Sequence, residues 1–271
     1  MTEQAEKARR FLELHHGDGP LLLPNPWDRG SARLLAGLGF QALATTSSGH
    51  AASLGRLDGS VTRDEAIDHA AAIVEATDLP VSADLENAFG DDPAEVAETL
   101  RRAVGAGLAG CSVEDYARDG DAIYDAGLAA ERVAAAAAVA HGGPVHLVLT
   151  ARAENYLHGR PDLSETIARL QAFQEAGADV LYAPGLSSLE DIRQVVASVD
   201  RPVNVLALPG APSVAELAGV GVSRVSVGGA FAFVAFGAMV EAARELREQG
   251  TYSYGTHARA GVKAVRSAFG G

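Results

Sequence analysis

The stretch VSADLENAFGDDP, residues 81–93, holds the side chains with most to say about chemistry. A short apolar run ending at Val81 leads into Asp84 and Glu86, and in an extended chain residues two apart face the same way. If the strand persists that far, two carboxylates share one face. Their repulsion is costly unless a cation discharges it. The run GCSVED closes on Glu114 and Asp115, and TARAENY sets Arg152 and Glu154 at the same spacing of two. An arginine among strand-end acids suits a carboxylate clamp, or else an internal pair with Glu154 or Asp84. QALATTSSG ends on Thr46 and Ser47. Their hydroxyls and the nearby backbone N–H groups fit a bound carboxylate as well as a loop cap. Asp58 falls in LGRLDG, a turn-like stretch where aspartate is common for backbone reasons.

The other reactive side chains narrow the chemistry. Clustered oxygen ligands without cysteine favour a hard cation, Mg²⁺ or Mn²⁺, over zinc. Mg²⁺ keeps several waters, so one acid can bind it directly and the rest through water. The single cysteine, Cys111, lies inside a strand-like run and reads as a buried, inert thiol. His50, His69, His141, His146 and His158 show no HxxxH spacing. Of these, His50 and His158 fall in loops after strands, where acid–base work is conceivable. Lysine occurs only at Lys7 and Lys263, outside the strands, which argues against a Schiff-base aldolase. Asn25, Trp27 and Asp28 close the first apolar run, with Trp27 as a packing anchor.

These residues need a frame that gathers strand ends. Strand-like runs (LLLPNPWD, QALATTSSG, PVSADLE, AGCSVED, VHLVLTARAE, ADVLYAPG, RPVNVLALPG, SRVSVGG) alternate with helix-like segments along the whole chain. Thr62 with Glu65 has capping-box spacing, and Asp92–Pro93 reads as an N-cap followed by N1. About eight strand–helix pairs with near-continuous apolar strands predict a single α/β domain over residues 1–271. Its form is a closed (β/α)₈ TIM-type barrel, with functional groups at the C-terminal strand ends. An open doubly wound sheet is the competitor, weakened because no GxGxxG follows the first strand. The last helix, around AFAFVAFGAMV, is apolar nearly all round. It is expected to pack on another subunit rather than only on its own barrel. Nothing in the composition suggests disorder apart from the ends.

With a net charge of −13, the chain is a poor partner for nucleic acid or membrane surfaces. A small-molecule substrate is expected instead. The start lacks a signal-peptide layout, and no apolar stretch is long enough to span a bilayer. A reducing, cytoplasmic setting fits the single cysteine.

From Leu21 to Glu248 the chain resembles the isocitrate lyase/phosphoenolpyruvate mutase superfamily. FQALATTSSGHAASLGRLD, SADLENAFGD, GCSVED and TARAENYLHGRPDLSETIARLQAFQEAGADVLYAPG carry the resemblance. It implies a helix-swapped barrel, a homotetramer (dimer of dimers) or homodimer, binding Mg²⁺ and a small 2-oxo- or 2-hydroxy-acid. It implies Asp84 as the direct metal ligand, supported by Asp58, Glu86 and Glu114. It also implies that Thr46 and Ser47 hold the substrate carboxylate, with Arg152 as its clamp.

The implied reaction runs through a pyruvate- or oxalate-like enolate as a C–C or P–C bond breaks. The stretch after Glu114, DYARDGDAIYDAG, lacks the Cys-containing loop of the isocitrate and methylisocitrate lyase branch, and Pro184 stands near that branch's glutamate. The mutase branch's Lys/Asn gating loop is missing too, and Ala44 replaces its tryptophan. The expectation is a Mg²⁺-dependent lyase or decarboxylase on a small oxo- or hydroxy-dicarboxylic acid. Phosphoenolpyruvate mutase- or phosphonopyruvate hydrolase-like chemistry is the alternative, and a non-catalytic binding barrel is a more distant one.

Overall fold

The computed structural model describes residues 2–118 and 120–270. Its strands are β1 (Leu21–Leu23), β2 (Leu43–Ala44), β3 (Val81–Asp84), β4 (Gly110–Glu114), β5 (Tyr116–Ala117), β6 (Ala122–Ile123), β7 (Val148–Arg152), β8 (Val180–Tyr182), β9 (Val203–Leu206) and β10 (Arg224–Ser226). Eight of them form one sheet in the order β1-β10-β9-β8-β7-β4-β3-β2, every pair parallel. The two end strands are drawn together. Ala44 N donates to the Pro24 carbonyl at 3.1 Å, and Asn25 Nδ2 donates to the Thr45 carbonyl at 2.9 Å. Asn25 Oδ1 also accepts from the backbone of Val227 and Gly228, tying the ends of β1, β2 and β10 into a nearly closed barrel.

The helices between strands follow their sequence signals. Thr62 and Asp92 each form a capping box, with Glu65 and Glu95 as the reciprocal partners, and Pro93 opens the second of these helices. The main apolar core lies between the outward strand faces and this helical ring, with Leu43, Leu100, Leu149, Leu170 and Phe173 fully buried. A second core closes the N-terminal end of the barrel under the helix Glu3–Leu14. There Phe11 packs so tightly on Gly110 that a Cβ at Gly110 would lie 2.7 Å from its ring.

The barrel interior departs from the usual branched apolar layers. Ser82, Ser112, Thr150, Asn204, Arg224 and Ser226 are polar positions on the barrel strands, and all but Ser112 are buried. Small polar side chains leave room for a cavity beneath the mouth.

Four local features depart from the sequence reading or add to it. β3 ends at Asp84, and Glu86 lies beyond it with a left-handed φ of 55°. The stretch after Glu114 folds as an antiparallel hairpin, β5–β6. His50 lies in a short helix, Ser47–Ser53, rather than a loop. Near the ends, Glu3–Leu14 and Gly255–Phe269 are helices, the latter packed on Arg29–Gly37. Among the described residues, no helix is long and apolar enough to cross a membrane.

Candidate active site

Parallel pairing sets the strand ends side by side. Glu114 is in register with Arg152, and Arg152 with Tyr182. The Arg152 guanidinium is consequently shared among three carboxylates. Nη1 meets Asp84 Oδ1 at 2.9 Å, Nη2 meets Glu114 Oε2 at 3.1 Å, and Nε meets Glu154 Oε1 at 2.8 Å. Burial alone would lower the arginine, but the charges of Glu154, Glu114 and Asp84 outweigh it and hold the guanidinium firmly protonated. Glu114 is driven the other way. Burial pushes its carboxyl well above the usual range, against the pull of Arg152 and with the charges of Glu154, Asp84 and Asp58 adding to the rise.

Thr45, Thr46 and Ser47 face this group from just beyond the end of β2. Thr46 caps the helix Ser47–Ser53, Thr45 Oγ1 accepts from Asp84 N at 2.9 Å, and Ser47 N donates to Asp84 Oδ2 at 3.2 Å. Thr46, Ser47, Asp58, Asp84 and Arg152 all line one cavity of about 180 Å³, which reaches down to Asn204, Arg224 and Ser226. Asp58 is exposed at its rim, accepting from Gly59 N. Glu114 lines the adjoining outer cleft with Ser47, Asp58, Arg118, Arg152 and His158.

Six of the seven residues singled out in the sequence therefore gather at the mouth. Glu86 is the exception. Its carboxylate is 2 % exposed and pairs with Arg118 of the hairpin, while its N–H donates to Asp84 Oδ1 at 3.3 Å. It faces a small cleft near His50 and His69 rather than the main cavity. His50 stacks on His69 with ring centroids 3.7 Å apart, and burial lowers both imidazoles. Asp115 also turns away: it accepts from Glu154 N and pairs with Arg169 at 3.2 Å. The Cys111 thiol is raised by burial and is inert, as its strand position suggested. Trp27 packs against Phe236, as an anchor would.

Three contributors had no strong signal in the sequence. Arg118 and Tyr116 come from the hairpin, Tyr116 stacking on His158 at 3.6 Å. Arg132, fully buried, donates to the carbonyls of Asn87, Gly90 and Asp91 and lies 4.2 Å over the Tyr124 ring. It holds the loop in which Glu86, Ala88 and Phe89 all have positive φ, a conformation costing roughly 1 kcal/mol or more at each non-glycine position. The available signal was a lone arginine among alanines in LAAERVAAAAAVAH.

An all-oxygen donor set with excess negative charge fits a hard divalent cation. Asp58, Asp84, Glu86, Glu114 and Glu154 stand here against Arg118 and Arg152. Their oxygens do not form a tight protein cage: among the described residues, three-ligand convergence within 4.8 Å occurs elsewhere. That openness suits Mg²⁺, which retains much of its water.

The phosphoenolpyruvate phosphomutase family model matches residues 11–247. A crystal structure from Burkholderia cenocepacia J2315, provisionally described as a lyase/mutase, is 52% identical with a TM-score of 0.90, covering 93% of this chain and 91% of its own. The crystal structure of 2,3-dimethylmalate lyase has 30% identity and a TM-score of 0.82, covering 93% and 90%. The 2-methylisocitrate lyase of Halalkalibacterium halodurans is 31% identical over 208 residues, 74% of this chain and 67% of that protein. The fold, the strand-end acids and these similarities converge: the chain belongs to the phosphoenolpyruvate mutase/isocitrate lyase superfamily, among relatives that are lyases and mutases.

Proposed function

We propose that this protein is a Mg²⁺-dependent carbon–carbon lyase or decarboxylase acting on a small 2-oxo- or 2-hydroxy-dicarboxylic acid. The observation that carries it is the mouth itself: one arginine set among three carboxylates above a cavity of about 180 Å³. That volume is well below the ~300–1,000 Å³ of drug-sized ligand sites and suits a small acid. Asp84 is the direct metal ligand in this reading, with Asp58 and Glu114 around it. Glu86, committed to Arg118, supports the site from outside the main cavity. When bound, the divalent cation supplies Lewis-acid stabilisation of the negative charge that develops on the substrate oxygen.

The chain's own residues do the rest. Thr46 and Ser47 receive the substrate carboxylate with hydroxyl and N–H donors, and Arg152 supplies a fixed positive fork beside the breaking bond. The hairpin carrying Tyr116 and Arg118 borders the outer cleft. The phosphonate reading keeps two supports, the name of the matching family model and a 38% identical structure from Burkholderia cenocepacia J2315 provisionally described as a phosphonomutase. Against it stands the hairpin, which lacks a lysine and an asparagine.

The test is a panel of oxaloacetate, 2-alkylmalates and phosphonopyruvate with Mg²⁺, coupling pyruvate formation to NADH loss and following oxaloacetate consumption directly. A C–C substrate should turn over, EDTA should abolish it, and Asp84→Ala should lower kcat/KM by about 10²–10³-fold. Turnover of phosphonopyruvate alone, or full activity in EDTA, sinks the reading.

The assembly belongs to the same proposal. Phe231, Phe233, Val234, Met239 and Val240 are exposed along the helix Ala230–Gln249, and Ala232 is its one buried residue. That face supports a subunit interface through which the helix packs on a neighbouring barrel, giving a homodimer or a dimer of dimers. A monomer at micromolar concentration in light scattering would rule it out.

A further inference from the structure

At the end of the barrel opposite the mouth, three side chains from separate elements converge. His141 is the last residue of the helix Ala126–His141, His146 lies in the turn that leads into β7, and Asp179 immediately precedes β8. His141 Nε2 lies 3.0 Å from Asp179 Oδ2, and His146 Nε2 lies 3.0 Å from Asp179 Oδ1. The two imidazoles are stacked nearly parallel, with centroids 4.1 Å apart and 7° between planes. Each ring thus directs Nε2 at a different oxygen of one carboxylate, and one ligand atom from each residue lies within 4.8 Å of the others. The carboxylate is itself fixed, since Asp179 Oδ2 accepts from Leu149 N at 2.8 Å.

We propose that His141, His146 and Asp179 form a second metal site, selective for a borderline divalent cation of the zinc, cobalt or nickel class. Two imidazole nitrogens and one carboxylate oxygen match the donor preference of those ions and mismatch that of Mg²⁺, which prefers oxygen throughout. With neutral imidazoles the cluster carries one negative charge, so a divalent ion leaves a single positive charge at a solvent-facing position. Access is open: the side chains of His141 and His146 are 28% and 46% exposed, against 11% for Asp179. The backbone N–H held on Asp179 is the kind of outer contact that orients a ligating carboxylate.

The role is structural. The ion cross-links the end of a helix and the turn His141–Leu147 to the start of β8, on the face of the barrel that reads as stability rather than catalysis. It takes no part in the proposed reaction, and its test is independent of turnover.

The untagged full-length protein, stripped with chelator and dialysed into saturating Mg²⁺ to occupy any oxygen site, is titrated with Co²⁺ and then Zn²⁺. One Co²⁺ per chain should bind with the visible absorption of a nitrogen-containing, low-coordinate site, and Zn²⁺ should displace it. Zn²⁺ at hundredfold excess over Kd should raise Tm by roughly 5 °C. Asp84→Ala should leave that band intact, whereas His146→Ala, at an exposed position that folding tolerates, should remove both band and Tm shift. No band in the wild-type protein, or an unchanged band in His146→Ala, would show a plain His–Asp hydrogen-bonded cluster and overturn the proposal. A band lost in Asp84→Ala but kept in His146→Ala would place the ion in the mouth, with the same consequence.

Discussion

Two arginines occupy the barrel interior, and their surroundings are opposite. Arg152, at the mouth, meets Asp84, Glu114 and Glu154. Arg224, near the floor and 4% exposed, pairs with no carboxylate among the described residues: Nε donates to Asn204 Oδ1, Nη2 to Thr150 Oγ1, and Nη1 faces His15 Nε2 at 3.2 Å. Burial pulls Arg224 down to about 10, whereas the acids around Arg152 hold it above its ordinary value against burial. The mouth is therefore over-supplied with negative charge and the floor with positive. A divalent cation relieves the first. The second is tolerated because neutral dipoles and the His15 ring satisfy the guanidinium hydrogen bonds without a counter-charge.

The sharpest way to break this contrast is to remove each cation in turn. Arg152→Met leaves three carboxylates crowded without their shared partner and should destabilise the fold by about 3–5 kcal/mol in metal-free buffer. Part of that loss should return when Mg²⁺ is added. Arg224→Met should cost much less, about 1–2 kcal/mol, because the lost hydrogen bonds to Asn204 and Thr150 are offset by no longer burying a charge. Urea melts of both variants with and without Mg²⁺ measure the difference. Equal losses, or a Mg²⁺ effect on Arg224→Met larger than on Arg152→Met, would dissolve the distinction between mouth and floor.

The mouth was far more legible in the sequence than the floor, for a physical reason. Strand-end acids and Arg152 stand out because a parallel barrel gathers strand ends, so position along the chain already implies proximity. Glu86 shows the limit of that logic. The spacing of two holds only while the strand persists, and the chain instead turns left-handed there, held by Arg132 from a distant helix. Floor contacts such as His15 with Arg224 join residues 209 apart, and neither has a periodic or motif signature. The His141, His146 and Asp179 cluster was hidden likewise, because only the packing of β7 beside β8 brings its members together. The hairpin β5–β6 carries no pattern of its own, because its strands are two residues each and too short to show an alternation.

The smallest effect tests the floor alone. His15 donates from Nδ1 to the Phe11 carbonyl at 2.7 Å, which leaves Nε2 as the acceptor facing Arg224. Burial, followed by the charge of Arg224, pulls its imidazole down to about 3. An unfolded histidine titrates near 6.5, so between these values the unfolded chain binds a proton that the folded chain refuses. His15's contribution is thus fully present above about pH 6.5 and is lost as pH falls toward 3, with a slope of up to about 1.4 kcal/mol per pH unit. His69, lowered to about 4 chiefly by burial, adds to the same acid limb. His15→Gln keeps a donor and an acceptor but cannot titrate, so its stability should fall less steeply between pH 6 and 4.5 by about one proton's worth. In Arg224→Met the guanidinium charge is gone and His15 should accept its proton at higher pH, which also flattens the limb. If the wild-type slope between those pH values survives in both variants, acid sensitivity arises elsewhere and the floor does not behave as an uncompensated positive site.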